Sequence, residues 1–172
     1  MSRFNEYSTI AQVAIRTAAN AFVSTAQLEE QWQPLRFHEQ PDLDEANIEY
    51  RQFKQLLAAA GAEIIELSAA GNLTIDSIYT RDSILVSPNG LILCNMGRAS
   101  RTPEANINAA AYQALGHQVA GQITAPGTLE GGDFIWLDDQ HAAVGLGPRT
   151  NAEGIRQLKE LLGSDVELHV VE

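Results

Sequence analysis

Residues 83–123 read SILVSPNGLILCNMGRASRTPEANINAAAYQALGHQVAGQI, and this stretch decides the fold predicted for the chain. Two apolar runs, 83–87 and 91–96, lie on either side of Pro88-Asn89-Gly90. Aliphatic runs on both sides of an Asn-Gly turn are typical of a β-hairpin. The stretch is therefore predicted to begin with two paired strands.

A helix and a third strand are predicted after the hairpin. Thr102-Pro103 indicates the helix start, because a capping residue followed by proline suits the first helical position. Gly116 indicates the end near Leu115, because glycine tolerates the left-handed conformation that commonly closes a helix. The next run, 117–123, is strand-like, so the whole stretch is predicted to be a strand, strand, helix, strand unit.

The same pattern occurs three times along the chain. Helices are predicted at about 44–60, 102–115 and 150–162, followed by Gly61, Gly116 and Gly163 and then by strands at 62–67, 117–123 and 166–171. Further strands are predicted at 9–15, before the first helix, and at 133–137 and 142–146, before the third. Such a unit cannot bury its own apolar face, so the repeat predicts stacking in a solenoid or around a propeller axis.

Two details complete the prediction for the first repeat. Its helix is expected to bury one stripe of residues at helical spacing, made of Ile48, Phe53, Leu56, Leu57 and Ala60. The polar, acidic segment 29–49 is expected to be a solvated loop that leads into this helix.

Composition limits the classes of protein that the chain can represent. It has 172 residues, the length of one domain, with 45% apolar residues and a net charge of −11. This charge argues against a nucleic-acid or anionic-membrane partner, which would require a basic surface. Cys94 is the only cysteine, which excludes an internal disulfide and suits a reducing compartment. No signal peptide or membrane span is predicted, so we expect a soluble cytoplasmic protein.

Acidic residues and arginines lie at the ends of short apolar runs between positions 76 and 149. They occur in the order Asp76, Asp82, Arg101, Glu130, Arg149. Carboxylates suit a guanidinium or ammonium group, whereas arginine binds a carboxylate through two parallel hydrogen bonds. The order therefore predicts a ligand with one positive end and one negative end.

The local sequence around several of these residues supports their assignment to a binding site. Asp76 and Asp82 are expected on one face of an extended segment, because strand side chains alternate with period two. Arg101 comes just before a helix N-terminus, where the helix dipole disfavours a cation, so a ligand or a carboxylate partner is expected. Gly131-Gly132, directly after Glu130, predicts close backbone approach. Turn-forming aspartates and an ordinary glycine-rich turn are the alternatives for each motif taken alone.

Together these segments resemble the guanidine-modifying superfamily, which comprises dimethylarginine dimethylaminohydrolases, arginine deiminases and glycine amidinotransferases. The resemblance runs from about 76 to 162. It rests on Asp76-x-x-Tyr79-x-Arg81-Asp82, Arg101, Glu130-Gly131-Gly132-Asp133 and Gly147-Pro148-Arg149-Thr150-Asn151. Arg98-Ala-Ser-Arg101 and Arg149-Thr-Asn are most similar to the dimethylarginine dimethylaminohydrolase branch.

The resemblance implies an α/β fold, a propeller of five ββαβ modules around a pseudo-fivefold axis. The chain would hold about three of these modules, roughly 1–70, 71–125 and 126–172, in a single incomplete domain. Residues 1–75 match the pattern only as a general strand–helix–strand unit.

The resemblance also implies a role for each site residue. Asp82 would pair with the substrate guanidinium, Asp76 would support that side of the pocket, and Tyr79 would line it. Arg101 and Arg149 would hold the substrate carboxylate. No cofactor or metal is implied.

Catalysis in the family requires a cysteine and a histidine. The cysteine thiolate attacks the guanidinium carbon, and the histidine protonates the departing amine and then activates water. Glu130 would grip the guanidinium and orient this histidine. Both catalytic residues lie in the last two modules of the family, after the segment that matches 149–151, so the chain alone is expected to be inactive.

No residue of the sequence is predicted to replace the missing pair. Cys94 lies in an apolar strand, where a thiol is usually buried and unreactive. The histidines fall in a polar segment, after a helix end, in a turn and in the terminal strand (His38, His117, His141, His169). A metal site at the turn histidine is a weaker alternative to a simple surface position.

The sequence therefore predicts the substrate-binding part of a guanidino-group hydrolase that acts on a small molecule, arginine or methylated arginine. One alternative is a non-catalytic binding or interaction protein, whose open module faces would form a homodimer or bind a complementing C-terminal polypeptide. Another alternative is an amidinotransferase, in which a second amine replaces water. The sequence does not separate hydrolysis from transfer.

Overall fold

The computed structural model describes residues 4–172, which form two compact units. One unit contains residues 9–80, and the other contains residues 4–8 together with 81–172. Each unit has its own sheet structure and its own apolar core. The three predicted modules stay a prediction.

The 9–80 unit is a strand–helix–strand arrangement with two additional short helices. Its elements are β1 (Gln12–Ile15), α1 (Ala18–Phe22), α2 (Thr25–Gln31), α3 (Leu43–Ala59) and β2 (Glu63–Glu66). The strands β1 and β2 pair in parallel, as a strand–helix–strand connection requires. The prediction of a solvated loop at 29–49 is wrong at both ends, because α2 continues to Gln31 and α3 begins at Leu43.

The half-buried face of α3 differs from the predicted stripe. Of the five residues expected to be buried, Leu57 is half-buried and the other four are exposed: Ile48, Phe53, Leu56 and Ala60. Positions 43, 46 and 50 pack against the core of this unit instead. Their spacing of three and four residues defines a helical face, but an alanine and a tyrosine on it weaken the apolar signal.

The segment 75–83 is not extended, which corrects the prediction for Asp76 and Asp82. It folds into two 3₁₀ turns, Ile75–Ile78 and Thr80–Ser83. Backbone bonds from Ser77 to Thr74 and from Tyr79 to Asp76 close the first turn. Aspartate, serine and threonine favour turns, and here this local preference overrides the alternation of a strand.

The second unit contains two sheets with the same connectivity. Its elements are β3 (Ile84–Ser87), β4 (Gly90–Leu93), α4 (Glu104–Ala114), β5 (Val119–Gln122), β6 (Phe134–Trp136), β7 (His141–Gly145), α5 (Ala152–Leu162) and β8 (Glu167–Val171). The sheet orders are β3-β4-β5 and β6-β7-β8. In each sheet the first two strands are antiparallel and the third is parallel to the second. The predicted strand, strand, helix, strand order is thus confirmed for residues 84–171.

The turns that define this order follow from local sequence. Ser87 pairs with Gly90 across the hairpin, so Pro88 and Asn89 form the two-residue turn. Gly61, Gly116 and Gly163 follow their helices with φ of +88°, +90° and +85°, as the helix-end prediction requires.

An apolar core holds the second unit together. Fully or almost fully buried side chains from both sheets and from α5 contribute to it, among them Ile92, Cys94, Ile123, Val144 and Leu158. Burial of one large aliphatic side chain contributes about 1.5–3 kcal/mol. This core fixes the strand ends from which the candidate site is built. Across residues 4–172, none of the helices is both long and apolar enough to cross a bilayer.

Candidate functional site

Arg101 lies in the 3₁₀ turn Ala99–Arg101, between β4 and α4, and its side chain is buried. Its Nε and Nη2 atoms donate to the two carboxylate oxygens of Glu104, at 2.7 and 2.9 Å. Its Nη1 atom donates to Oδ2 of Asp82 at 2.7 Å. Burial lowers the pKa of Arg101, but the hydrogen bonds and charges of Glu104 and Asp82 outweigh burial and raise it above its usual value. Of the two expected partners of Arg101, a ligand or a carboxylate, the structure shows the carboxylate, and two residues supply one, Glu104 and Asp82.

Glu130 and Arg149 form a second ion pair in the same unit. Arg149 Nη1 lies 2.9 Å from Glu130 Oε2, and Arg149 Nη2 lies 3.8 Å from Asp133 Oδ1. Glu130 Oε1 accepts a hydrogen bond from the backbone amide of Gly97 at 3.3 Å. The Glu130 side chain is 1% exposed and that of Arg149 is 58% exposed. The pair therefore joins a buried carboxylate to a guanidinium that faces solvent.

The glycine pair after Glu130 allows this segment to lie directly against residues 81 and 82. A Cβ atom at Gly131 would lie 2.2 Å from the carbonyl oxygen of Arg81, and one at Gly132 would lie 2.6 Å from Oδ1 of Asp82. At Gly131 the contact is with backbone, so glycine is required for the packing, whereas a side chain at Gly132 would displace the Asp82 carboxylate. The predicted close backbone approach is confirmed, and it brings Glu130 next to the Asp82 segment.

Thr150 connects the Glu130 segment to the start of α5. Its buried hydroxyl donates to Oδ2 of Asp133 at 2.7 Å and accepts from the backbone amide of Glu130 at 3.2 Å. Asn151 caps α5 by accepting from the amide of Gly154 at 2.8 Å, so the helix begins at Ala152, slightly later than the predicted start at about 150. Arg149 is thereby placed at the end of a fixed segment.

These six side chains form what we term the arginine–carboxylate cluster. Its members are Asp82, Arg101, Glu104, Glu130, Asp133 and Arg149. When all are ionised, four carboxylates surround two guanidinium groups, which leaves an excess of two negative charges. A cation bound beside these carboxylates would offset that excess, and a guanidinium would also match their hydrogen-bonding geometry.

The pKa of Glu130 is raised, mainly by burial. The positive charge of Arg149 opposes the rise more strongly than the negative charge of Asp82 adds to it, and the charge of Arg101 also lowers this pKa. The upward direction therefore reflects desolvation of the carboxylate rather than its charged neighbours. Since Asp82 acts on Glu130, the two ion pairs are electrostatically coupled.

Asp76 and Tyr79 belong to the 9–80 unit, whereas the other four predicted site residues belong to the second unit. Asp76 is buried in its 3₁₀ turn, and Tyr79 follows the turn with 54% of its surface exposed. The buried Arg16 donates to the carbonyl oxygen of Ser77 at 3.4 Å and so supports the turn. The predicted roles of Asp76 and Tyr79 stay predictions.

Cys94 has the environment of a structural thiol. It is buried in the core, and burial followed by the negative charges of Asp82 and Glu130 raises its pKa well above the usual range. A thiol is nucleophilic only as the thiolate, so Cys94 is not a suitable nucleophile at neutral pH.

His141 and His169 contact each other and the nearby carboxylates of Asp138 and Glu167. His141 contacts Asp138 at 2.8 Å on the surface, and its ring stacks on that of His169 with centroids 6.0 Å apart. Within residues 4–172, no group of three His, Cys, Asp or Glu side chains has an arrangement that could hold a metal ion.

Sequence reasoning did not identify two members of the network. Glu104 was missed, although its position three residues after Arg101 at the start of a helix is a signal for an ion pair. Thr150 was given no role of its own, because nothing local indicates that its hydroxyl binds residues about 20 positions earlier.

The sequence and structure are similar to those of characterised guanidino-modifying enzymes. Residues 72–171, more than half of the chain, match the family model described as arginine deiminase. The chain superposes on dimethylarginine dimethylaminohydrolase from Pseudomonas aeruginosa, in a cysteine-to-serine mutant complexed with citrulline, with a TM-score of 0.74. That match has 26% sequence identity and covers 96% of this chain and 62% of the other.

Two curated relatives carry the same enzyme name. N(G),N(G)-dimethylarginine dimethylaminohydrolase from Streptomyces coelicolor is 35% identical over 117 residues, which cover 66% of this chain and 44% of the relative. The enzyme of that name from Pseudomonas aeruginosa is 36% identical over 87 residues, covering 51% and 34%. The chain thus spans less than half the length of the curated relatives that it matches.

The mixed α/β fold and these matches place the chain in the guanidine-modifying superfamily. Within that class, the chain belongs to the arginine deiminase family, and its reported relatives are dimethylarginine dimethylaminohydrolases.

Proposed function

We propose that this chain is the substrate-binding part of a hydrolase that acts on the guanidino group of arginine or methylated arginine. The observation that carries the proposal is the excess of carboxylates over guanidinium groups in the arginine–carboxylate cluster. Membership of the arginine deiminase family and the names of the relatives support the same substrate class.

Asp82 and Glu130 are the residues that we propose to contact the guanidinium. Asp82 is held through one oxygen by Arg101 and remains partly exposed, and Glu130 is buried with a raised pKa. A bound guanidinium would donate to both carboxylates and relieve their mutual repulsion. We propose Asp76 and Tyr79 as further substrate-binding residues, as the family resemblance implies.

Arg149 is the better candidate for the substrate carboxylate. Its side chain is 58% exposed, whereas the Nε, Nη1 and Nη2 atoms of Arg101 all donate to carboxylates of the protein. The role of Arg101 at the substrate carboxylate stays a prediction, and its present contacts favour a role in holding Asp82.

The covalent chemistry that we propose needs residues outside this sequence. A cysteine thiolate would attack the guanidinium carbon, the amine would leave with a proton from a histidine, and water would then release the ureido product. Cys94 is buried with a raised pKa and does not fit the role of nucleophile. We therefore propose that the chain alone is inactive and that Glu130 orients a histidine supplied elsewhere in the complete enzyme.

The propeller prediction is part of the same proposal. The two sheets of the second unit share one strand order, as successive ββαβ modules would. We propose that they and the strand–helix–strand unit are about three of five modules, completed by further chain or by a second polypeptide.

Calorimetric titration of the 172-residue chain with arginine, with dimethylarginine and with norleucine tests the binding part of the proposal. Norleucine is the matched control, because it has an amino-acid head group and an apolar side chain but no guanidino group. We expect saturable binding of the two guanidino compounds and much weaker binding of norleucine. Equal affinity for all three compounds, or no binding of any, would contradict the proposal.

A further inference from the structure

Glu104 is a buried carboxylate whose two oxygens both bind the same arginine. Its side chain is 0% exposed, and it holds the Nε and Nη2 atoms of Arg101 at 2.7 and 2.9 Å. It is also the first residue of α4, where the positive end of the helix dipole stabilises a negative charge. Both features favour the ionised form of Glu104 as a fixed partner of Arg101.

The contact between Arg101 and Glu104 determines how much of the negative charge of Asp82 is left to attract a bound cation. Arg101 and Glu104 together form a neutral pair, held by two of the three guanidinium nitrogens. The third nitrogen makes one hydrogen bond to Asp82. Asp82 is thus fixed in position by one bond, while most of the charge of Arg101 is compensated by Glu104 instead. The negative charge of Asp82 therefore stays available to a cation.

We infer that Glu104 is a positioning residue that preserves the charge of Asp82 for the substrate guanidinium, acting through Arg101. This inference rests on the proposed function, because Asp82 needs an uncompensated charge only if a cation binds there. Without the carboxylate of Glu104, the Nε and Nη2 groups of Arg101 would lose their partner. The full charge of Arg101 would then act on Asp82 and compete with the ligand.

The test compares arginine with citrulline, its neutral ureido isostere, on the 172-residue chain. A residue that only supports the fold would affect both ligands alike, whereas a residue that preserves charge affects the cation alone. We expect Glu104→Gln to reduce the preference for arginine over citrulline by about tenfold or more, the effect of roughly one charge-assisted hydrogen bond. Citrulline affinity is expected to stay within about twofold of the wild type, since a neutral ligand gains little from the charge of Asp82.

Glu153→Gln is the matched control for this substitution. Glu153 binds Arg156 through two oxygens at the same spacing of three residues and also lies in the first turn of a helix, but on the surface. It is expected to leave both affinities unchanged. The Nε–H resonance of Arg101 provides a second readout, because in Glu104→Gln it should shift and exchange faster with water once its carboxylate partner is lost.

Several outcomes would overturn the inference. One is a folded Glu104→Gln variant with an unchanged preference for arginine, and another is an equal loss of both ligands. If Glu104→Gln does not fold, Glu104→Asp retains the charge on a shorter side chain and should show a smaller loss that is confined to arginine; an equal loss of both ligands again contradicts the inference. If the wild-type chain binds no guanidino compound, the proposed function itself fails, and the inference fails with it.

Discussion

Two arginine–glutamate pairs in the second unit have almost the same geometry and opposite surroundings. Glu104 binds Arg101 with two hydrogen bonds of 2.7 and 2.9 Å, and Glu153 binds Arg156 with two of 2.8 and 2.7 Å. In both pairs the residues are three positions apart, and the glutamate is in the first helical turn. The Arg101 side chain is 5% exposed, whereas that of Arg156 is 55% exposed.

Burial, rather than the number of carboxylates, separates the candidate site from the surface ion pair. Each arginine contacts a second carboxylate, Asp82 beside Arg101 and Glu160 beside Arg156, but only Arg101 is buried. Hydrogen bonds from Arg156 and Gln157 lower the pKa of Glu153 to about 2, but water screens this exposed pair. The buried pair is therefore expected to contribute more to the free energy of unfolding than the exposed pair.

The largest expected effect is on the buried pair. Glu104→Gln should lower the free energy of unfolding by about 3–5 kcal/mol, because it leaves the buried charge of Arg101 without its main partner. Urea unfolding at neutral pH measures this change. Glu153→Gln is the control and should leave the unfolding midpoint nearly unchanged. An equal loss of unfolding free energy in both variants would contradict the expected difference between the buried and the exposed pair.

The exposed arginine of the cluster should matter more for binding than for stability. Arg149→Lys is expected to weaken arginine binding by about 1.5–3 kcal/mol, because lysine retains the charge but cannot make two parallel hydrogen bonds to a carboxylate. Calorimetry on the variant measures this loss. Arg156→Lys is a control at a similarly exposed arginine, and a loss of the same size there would argue against a specific role for Arg149.

The close packing around Asp82 can be tested through its glycines. Gly131→Ala should destabilise the chain by about 1–3 kcal/mol, because the added Cβ would overlap the backbone of Arg81. Gly147→Ala introduces the same methyl group where no atom lies within 4 Å and should have little effect. Thermal unfolding of both variants checks the difference, and an equally stable Gly131→Ala variant would contradict the packing.

A smaller effect is expected in the pH dependence of stability. The raised pKa of Glu130 means that the folded state binds its proton more tightly than the unfolded state, so its favourable contribution is present at low pH and lost as pH rises above 4.5. Glu130→Gln removes this titration, and its stability relative to the wild type should therefore improve from pH 4.5 to pH 7. Unfolding at both pH values tests the sign, and a relative decline would contradict the raised pKa.

Local signals in the sequence predicted the parts of the fold that depend on few residues. The turn at Pro88-Asn89 and the helix ends at Gly116 and Gly163 follow from backbone preferences, and the structure confirms them. The extended segment at Asp76 and Asp82 was predicted wrongly, because turn-forming side chains compete with strand alternation.

The site could be predicted only in part for a similar reason. A carboxylate partner for Arg101 was expected from the helix dipole, yet the sequence did not show that Glu104 and Asp82 would both bind it. Glu104 and Glu153 lie in similar local contexts, and only tertiary packing buries one of them. Which charges face a ligand is therefore a property of the folded unit rather than of spacing along the chain.

The affinity of Asp82→Asn for dimethylarginine, measured by calorimetry beside the wild type, tests the central claim most directly. Asparagine retains the size of Asp82 but removes the charge that the cluster is proposed to offer to the guanidinium. We predict loss of detectable binding with an unfolding midpoint close to that of the wild type. An Asp82→Asn variant that binds dimethylarginine as tightly as the wild type would contradict the account.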